Sequence, residues 1–127
     1  QVRVILADTS VWITHFRSGD ADLARALRRS NVRSHPWIIG ELAMGNLTDR
    51  QRTLTDLRRL PPSVVATVDE IGSFVERNAL FGRGIGFVDA GLLAATALTS
   101  GTRLWTTDRR LQSVARDLGL AADSAAD

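Results

Sequence analysis

Val2-Arg3-Val4-Ile5-Leu6-Ala7-Asp8-Thr9-Ser10 is an apolar, β-branched run that stops at an acid and two hydroxyls. Arg3 is its only charge before Asp8. A strand covered on both faces has this composition, so residues 2–7 are predicted to lie inside a mostly parallel sheet. Residues 11–16 then read as a helix, with Asp8, Thr9 or Ser10 as its cap.

Working outward, the same alternation repeats. Gly19-Asp20 breaks the chain, and Leu23, Ala26 and Leu27 recur at helical spacing with Arg25, Arg28 and Arg29 on the other side. Residues 32–35 suit a second short strand. Pro36 opens a helix that Gly45 closes. Thr48 is expected to cap the next helix, which carries Leu54, Leu57 and Leu60. Pro61-Pro62 is a turn, 64–65 a brief extended piece and 69–80 a helix. Gly82-Arg83-Gly84-Ile85-Gly86 is a loop, and 89–99 is an alanine-rich helix fit for burial. Residues 103–106 form a strand, Asp108 starts a helix to Leu118, and 120–121 suit a last short strand. Strands alternating with helices imply an α/β sandwich built as one domain over 1–127, with a loose tail at 122–127. Ligands bind such sheets at the carboxyl ends of the strands, where Asp8 and Asp108 both fall.

Composition narrows the chemistry. The chain is 44% hydrophobic and 24% charged, as in ordinary globular domains. No apolar run approaches the roughly 18 residues of a membrane span. The apolar stretch before Asp8 is too short for a signal-peptide core, so a cytoplasmic protein without membrane contact is expected. Cysteine is absent, which excludes disulfides and thiolate chemistry. All 16 cationic side chains are arginine. Without lysine there is no Schiff base and no phosphate-binding P-loop lysine. A net charge of +2 permits a nucleic-acid partner without arguing for one. Codon bias in a GC-rich genome would also favour arginine. Arg25, Arg28 and Arg29 read as a solvated helix face.

Four segments each present one carboxylate: Val-Ile-Leu-Ala-Asp8-Thr-Ser-Val-Trp, Ile-Ile-Gly-Glu41-Leu-Ala-Met-Gly, Gly-Phe-Val-Asp89-Ala-Gly-Leu-Leu-Ala-Ala-Thr and Leu-Trp-Thr-Thr-Asp108-Arg-Arg-Leu. Glu41 and Asp89 are lone charges in apolar helical segments. Burying such a charge costs several kcal/mol unless a partner or cation compensates it. These four motifs, in this order, resemble a PIN domain, and more narrowly the VapC toxins of bacterial toxin–antitoxin pairs. The resemblance runs from Val4 to about Leu120.

The resemblance implies a PIN-like three-layer α/β/α sandwich with four or five mostly parallel strands. It implies an endoribonuclease dependent on Mg2+ or Mn2+, with Asp8, Glu41, Asp89 and Asp108 as catalytic and metal-binding acids. Ser10 and Thr106 match supporting hydroxyls. It also implies a VapB-type antitoxin, a tRNA or rRNA substrate, a homodimer and growth arrest through blocked translation. Arg109 and Arg110 stand where many PIN domains carry a further acid, which bears on a second metal. Oxygen donors suit magnesium and manganese, and clustered carboxylates resist full ionisation without a cation.

Other readings fit less well. A phosphoreceiver domain needs a late lysine. A haloacid-dehalogenase-like phosphatase needs Asp-x-Asp where Asp8-Thr9-Ser10 stands. A degenerate PIN domain that only binds would not keep all four acids. His15 and His35 are expected to be ordinary surface or strand residues, and Trp37 and Trp105 core residues rather than base-stacking platforms. The 82–86 loop is expected near the site, flexible enough to admit RNA.

Overall fold

The computed structural model describes residues 3–122. Strand β1 (Val4–Ala7) sits at the centre of a parallel sheet in the order β2-β1-β3, between β2 (Val32–Arg33) and β3 (Thr102–Trp105). Ile5 pairs with Val32 and with Arg103, and Leu6 with Arg33 and with Leu104. Neighbours along a strand point to opposite faces, and Ile5 and Leu6 are both 0% exposed. Both faces of the sheet are therefore covered, as an α/β sandwich requires.

The sheet is narrower than the expected four or five strands. On each side a single bridge replaces a further strand: Ser34 with Pro62, and Leu104 with Ala121. Pro36 starts a helix just after β2, and Pro61-Pro62 cannot donate ladder bonds, so that edge stays short. Val64 and Val65 lie outside any strand; the extended contact falls on Pro62 and Ser63, whose N–H donates to the Ser34 carbonyl at 2.8 Å. At the other edge Leu104 exchanges bonds of 2.7 and 2.8 Å with Leu120 and Ala122. Ala122 is thus buried and belongs to the fold, not to the tail. Val2 and the rest of that tail, 123–127, lie outside the described residues.

Seven helices connect and cover these strands among the described residues: α1 (Thr9–Ser18), α2 (Ala21–Arg28), α3 (Pro36–Ala43), α4 (Arg50–Arg59), α5 (Val68–Arg77), α6 (Phe87–Leu98) and α7 (Arg109–Asp117). Asp8 caps α1 and Asp108 caps α7. Thr48 does not cap α4. Asp49 precedes that helix in a left-handed conformation, and the Thr48 carbonyl instead accepts from the Thr53 hydroxyl.

Helix α6 forms the spine of the core. Seven consecutive residues, Ala90 to Thr96, are buried in it. Gly91 allows this: a Cβ there would stand 2.4 Å from Trp37 Cζ3. The indole of α3 therefore lies on bare backbone of α6. Trp37 and Trp105 both pack on the core while half-buried, as expected. No helix among the described residues is long and apolar enough to cross a membrane.

Candidate active site

Asp8 leaves the central strand at its carboxyl end, where its N–H donates to the Trp105 carbonyl of β3 at 3.0 Å. It is 7% exposed. Its Oδ1 accepts from the Val11 N–H at 3.3 Å and from the Ser10 hydroxyl at 2.5 Å. Ser10 Oγ in turn accepts from the Thr107 N–H at 3.1 Å. One serine thus ties the acid at the end of β1 to the segment leaving β3. Thr106 works from the other side: buried, it accepts from the Asp108 N–H at 3.0 Å and sets the turn into α7. Asp108 is exposed, and its Oδ1 accepts from the N–H groups of Arg110 and Leu111 at 3.0 and 3.1 Å.

Both aspartates are therefore helix caps, the plain reading of an acid after a strand. Each cap uses Oδ1 alone. No protein donor among the described residues reaches either Oδ2, so capping and ligand binding do not compete.

The sequence explained Glu41 by the cost of burial, and the structure corrects that. Helix α3 is eight residues long and buries only Ile38 and Leu42, one turn apart; Glu41 falls beside that stripe and is exposed. What positions it is the Thr9 hydroxyl, which donates to Glu41 Oε1 at 3.0 Å. Thr9 was read only as a possible cap. The Asp-Thr-Ser run gave the available signal: three polar groups in succession at a strand end can each serve a different partner.

Asp89 is half-buried in the first turn of α6. Burial raises its carboxyl above the ordinary aspartate value of 3.8, while a backbone hydrogen bond from Gly86 opposes that rise. The negative charges of Asp108, Asp8 and Glu41 raise it further. Asp89 therefore feels the charge of the other three acids, although they come from the end of β1, from α3 and from the cap of α7.

Among the described residues no group of three or more His, Asp or Glu side chains is drawn together closely enough to cage a metal ion. The donors fit a cation that keeps much of its water. Carboxylate oxygens are hard ligands, the free Oδ2 atoms are available, and magnesium binds through one or two carboxylates with waters completing its shell. A closed thiolate or imidazole site has no donors here. Cysteine is absent, and His35 is fully buried as the cap of α3, its Nδ1 accepting from the Trp37 N–H at 3.1 Å. Burial lowers the pKa of His35. It is a neutral core histidine rather than a surface one. His15 is half-buried late in α1, and its Nδ1 accepts from the Asp20 N–H at 3.0 Å.

Two further features frame the acids. A groove of about 690 Å³ opens between α1, α3 and α4, with Glu41 on its wall beside Phe16, Arg17 and Arg52. The 82–86 loop leads into α6 and is fastened to α7: Arg83 Nη2 lies 2.7 Å from Asp117 Oδ2, and the Arg110 side chain lies against Gly84.

No family model matches the chain. Two curated proteins do, each 45% identical over 118 residues, covering 93% of this chain and 95% of their own length. Both are Ribonuclease VapC32 of Mycobacterium tuberculosis, one from strain CDC 1551 / Oshkosh and one from strain ATCC 25618 / H37Rv.

Proposed function

The chain belongs to the VapC ribonucleases, and on that premise we propose that it is a Mg2+- or Mn2+-dependent endoribonuclease toxin that cuts tRNA or rRNA. One observation supports this most: the Asp89 carboxyl is raised first by burial and further by the negative charges of Asp108, Asp8 and Glu41 from three other elements, a burden that a bound cation would relieve. Asp8, Asp89 and Asp108 would hold the ion, with Glu41 reaching it from α3. A bound divalent ion supplies neutralising charge for the scissile phosphate and lowers the pKa of a coordinated water.

The chain's own residues do the rest. Ser10 fixes the Asp8 carboxylate through Oδ1 and leaves Oδ2 without a protein donor among the described residues. Thr106 fixes the turn that presents Asp108. Thr9 holds Glu41 Oε1, leaving Oε2 to orient a water or ligand. No side chain here needs to act as a histidine base.

A VapB-type antitoxin is the partner this reading carries, and a segment bound in the groove between α1, α3 and α4 would reach Glu41 directly. A homodimer and growth arrest on induced expression belong to the same reading. The decisive test incubates the purified protein with total bacterial RNA. Cleavage should stop in chelator and return with added magnesium or manganese, and Asp89→Asn should stay inactive with the cation present. Cleavage that persists in excess chelator overturns the proposal.

A further inference from the structure

The Arg110 side chain lies between α7 and the loop that leads into α6. It sits in the first turn of α7, two residues after Asp108, and its own N–H caps onto Asp108 Oδ1. Its side chain crosses to the loop that feeds α6. A Cβ at Gly84 would lie 2.9 Å from both Arg110 Cδ and Nη1, and 3.3 Å from Cζ. The side chain therefore lies along the bare backbone of Gly84. Gly84 also has φ +81, a conformation other residues adopt at a cost. Arg83 fastens the same loop to Asp117 near the other end of α7.

The side chain thus reaches from α7, which Asp108 caps, to the loop that leads into α6, which carries Asp89. Yet it is not spent on a carboxylate: the ion pairs among the described residues are Arg25–Asp22 and Arg83–Asp117. An exposed arginine normally keeps its rotamer freedom. Arg110 is exposed too, but its side chain rests along Gly84, no ion pair among the described residues engages its charge, and a guanidinium presents several donors in a planar fork that matches a phosphate. A cation beside an acidic site also offsets the repulsion an incoming polyanion would meet.

From this we propose that Arg110 binds a backbone phosphate of the RNA next to the four acids, with Gly84 as the seat that sets its position. The proposal rests on the ribonuclease reading. It makes Arg110 a substrate-binding residue and the 82–86 loop a fixed wall of the site.

The test uses the full chain and unfractionated bacterial tRNA as probe. Cleavage is followed in the otherwise unaltered protein, and binding is followed in an Asp8→Asn background that cannot cut. Arg110→Gln should raise KM about 10-fold with kcat changed far less, the pattern of lost substrate binding. It should also lower the slope of log K against log salt by roughly 0.7–0.9, the release of one phosphate contact. Arg109→Gln removes an equal charge from the same turn without the seat, and should change KM much less. Gly84→Ala keeps the charge but displaces it, and should reproduce part of the Arg110→Gln defect.

An unchanged salt slope and KM in Arg110→Gln overturn the inference, as do equal effects from Arg109→Gln. Should Arg110→Gln fail to fold, Gly84→Ala with unchanged KM and salt slope overturns it instead. A parent protein that neither binds nor cuts any RNA overturns the ribonuclease reading and this inference together. A parent that cuts normally isolates the failure to Arg110.

Discussion

Asp8 and Glu41, two of the four candidate acids, are held in opposite ways. Asp8 is almost wholly buried at the end of the central strand, fixed by a backbone bond from β3's side and two donors on one carboxylate oxygen. Glu41 hangs exposed from a two-turn helix, steadied by one threonine hydroxyl across a groove. The sheet's pairing dictates where Asp8 lies. The packing of Ile38 and Leu42 decides where Glu41 lies, and its side chain keeps rotamers that Asp8 has lost. The site therefore has a rigid half and an adjustable half. A cation or substrate entering it would leave Asp8 where it is and draw Glu41 in.

The sharpest way to break that contrast is Asp8→Asn. Asparagine caps a helix about as well as aspartate, so α1 and its hydrogen bonds should survive. The lost negative charge should cut RNA cleavage by at least about 100-fold, beyond the 10–100-fold typical of losing a partner to a metal ligand. Circular dichroism and melting temperature should stay near the parent's. Near-normal cleavage by a well-folded Asp8→Asn would reduce this residue to a cap and dismantle the rigid half.

A milder pair of substitutions compares the two halves directly. Ser10→Ala removes the bridge from Asp8 to Thr107 and should cost roughly 10-fold in kcat. Thr9→Ala removes one exposed hydrogen bond, worth about 0.5–1.5 kcal/mol at most, and should cost only about 2- to 10-fold. If Thr9→Ala proved the more damaging, Glu41 would be the fixed acid and the contrast would have to be reversed.

This contrast also marks where the sequence was legible. A strand inside a parallel sheet carries its position in its composition, and Val4-Ile5-Leu6-Ala7 could hardly be anything else. The acids after strands were placed for the same reason. Glu41 was misread because a short helix buries only a narrow stripe, and apolar neighbours in sequence are not neighbours in space. The sheet's width was misread because bridges at Pro62 and Ala121 leave a strand-like trace without forming strands. The capping box that starts α5, Thr67 with Glu70, went unread although the Thr-x-x-Glu spacing spells it out. The packing of Arg110 on Gly84 had no local signal, since it joins residues distant in sequence.

The smallest effect sharpens the comparison at Asp89, which feels the charge of both Asp8 and Glu41. A carboxyl whose pKa is raised by folding holds its proton more tightly when folded than unfolded. Its contribution to stability is then best at low pH. It declines as pH rises from 3.8 through the raised folded value, and the ionised form remains a cost above that window. Asp89→Asn cannot ionise and keeps an acceptor for the Gly86 N–H. In chelator, the variant's melting temperature should therefore gain on the parent's as pH climbs through this window, then hold a small constant lead at neutral pH. Added magnesium should narrow or reverse that lead, because the parent gains binding energy on folding and the variant loses a ligand. A difference in melting temperature that does not move with pH would mean that neither burial nor the neighbouring acids burden the Asp89 carboxylate. The adjustable Glu41 would then be the first place to look for the slack.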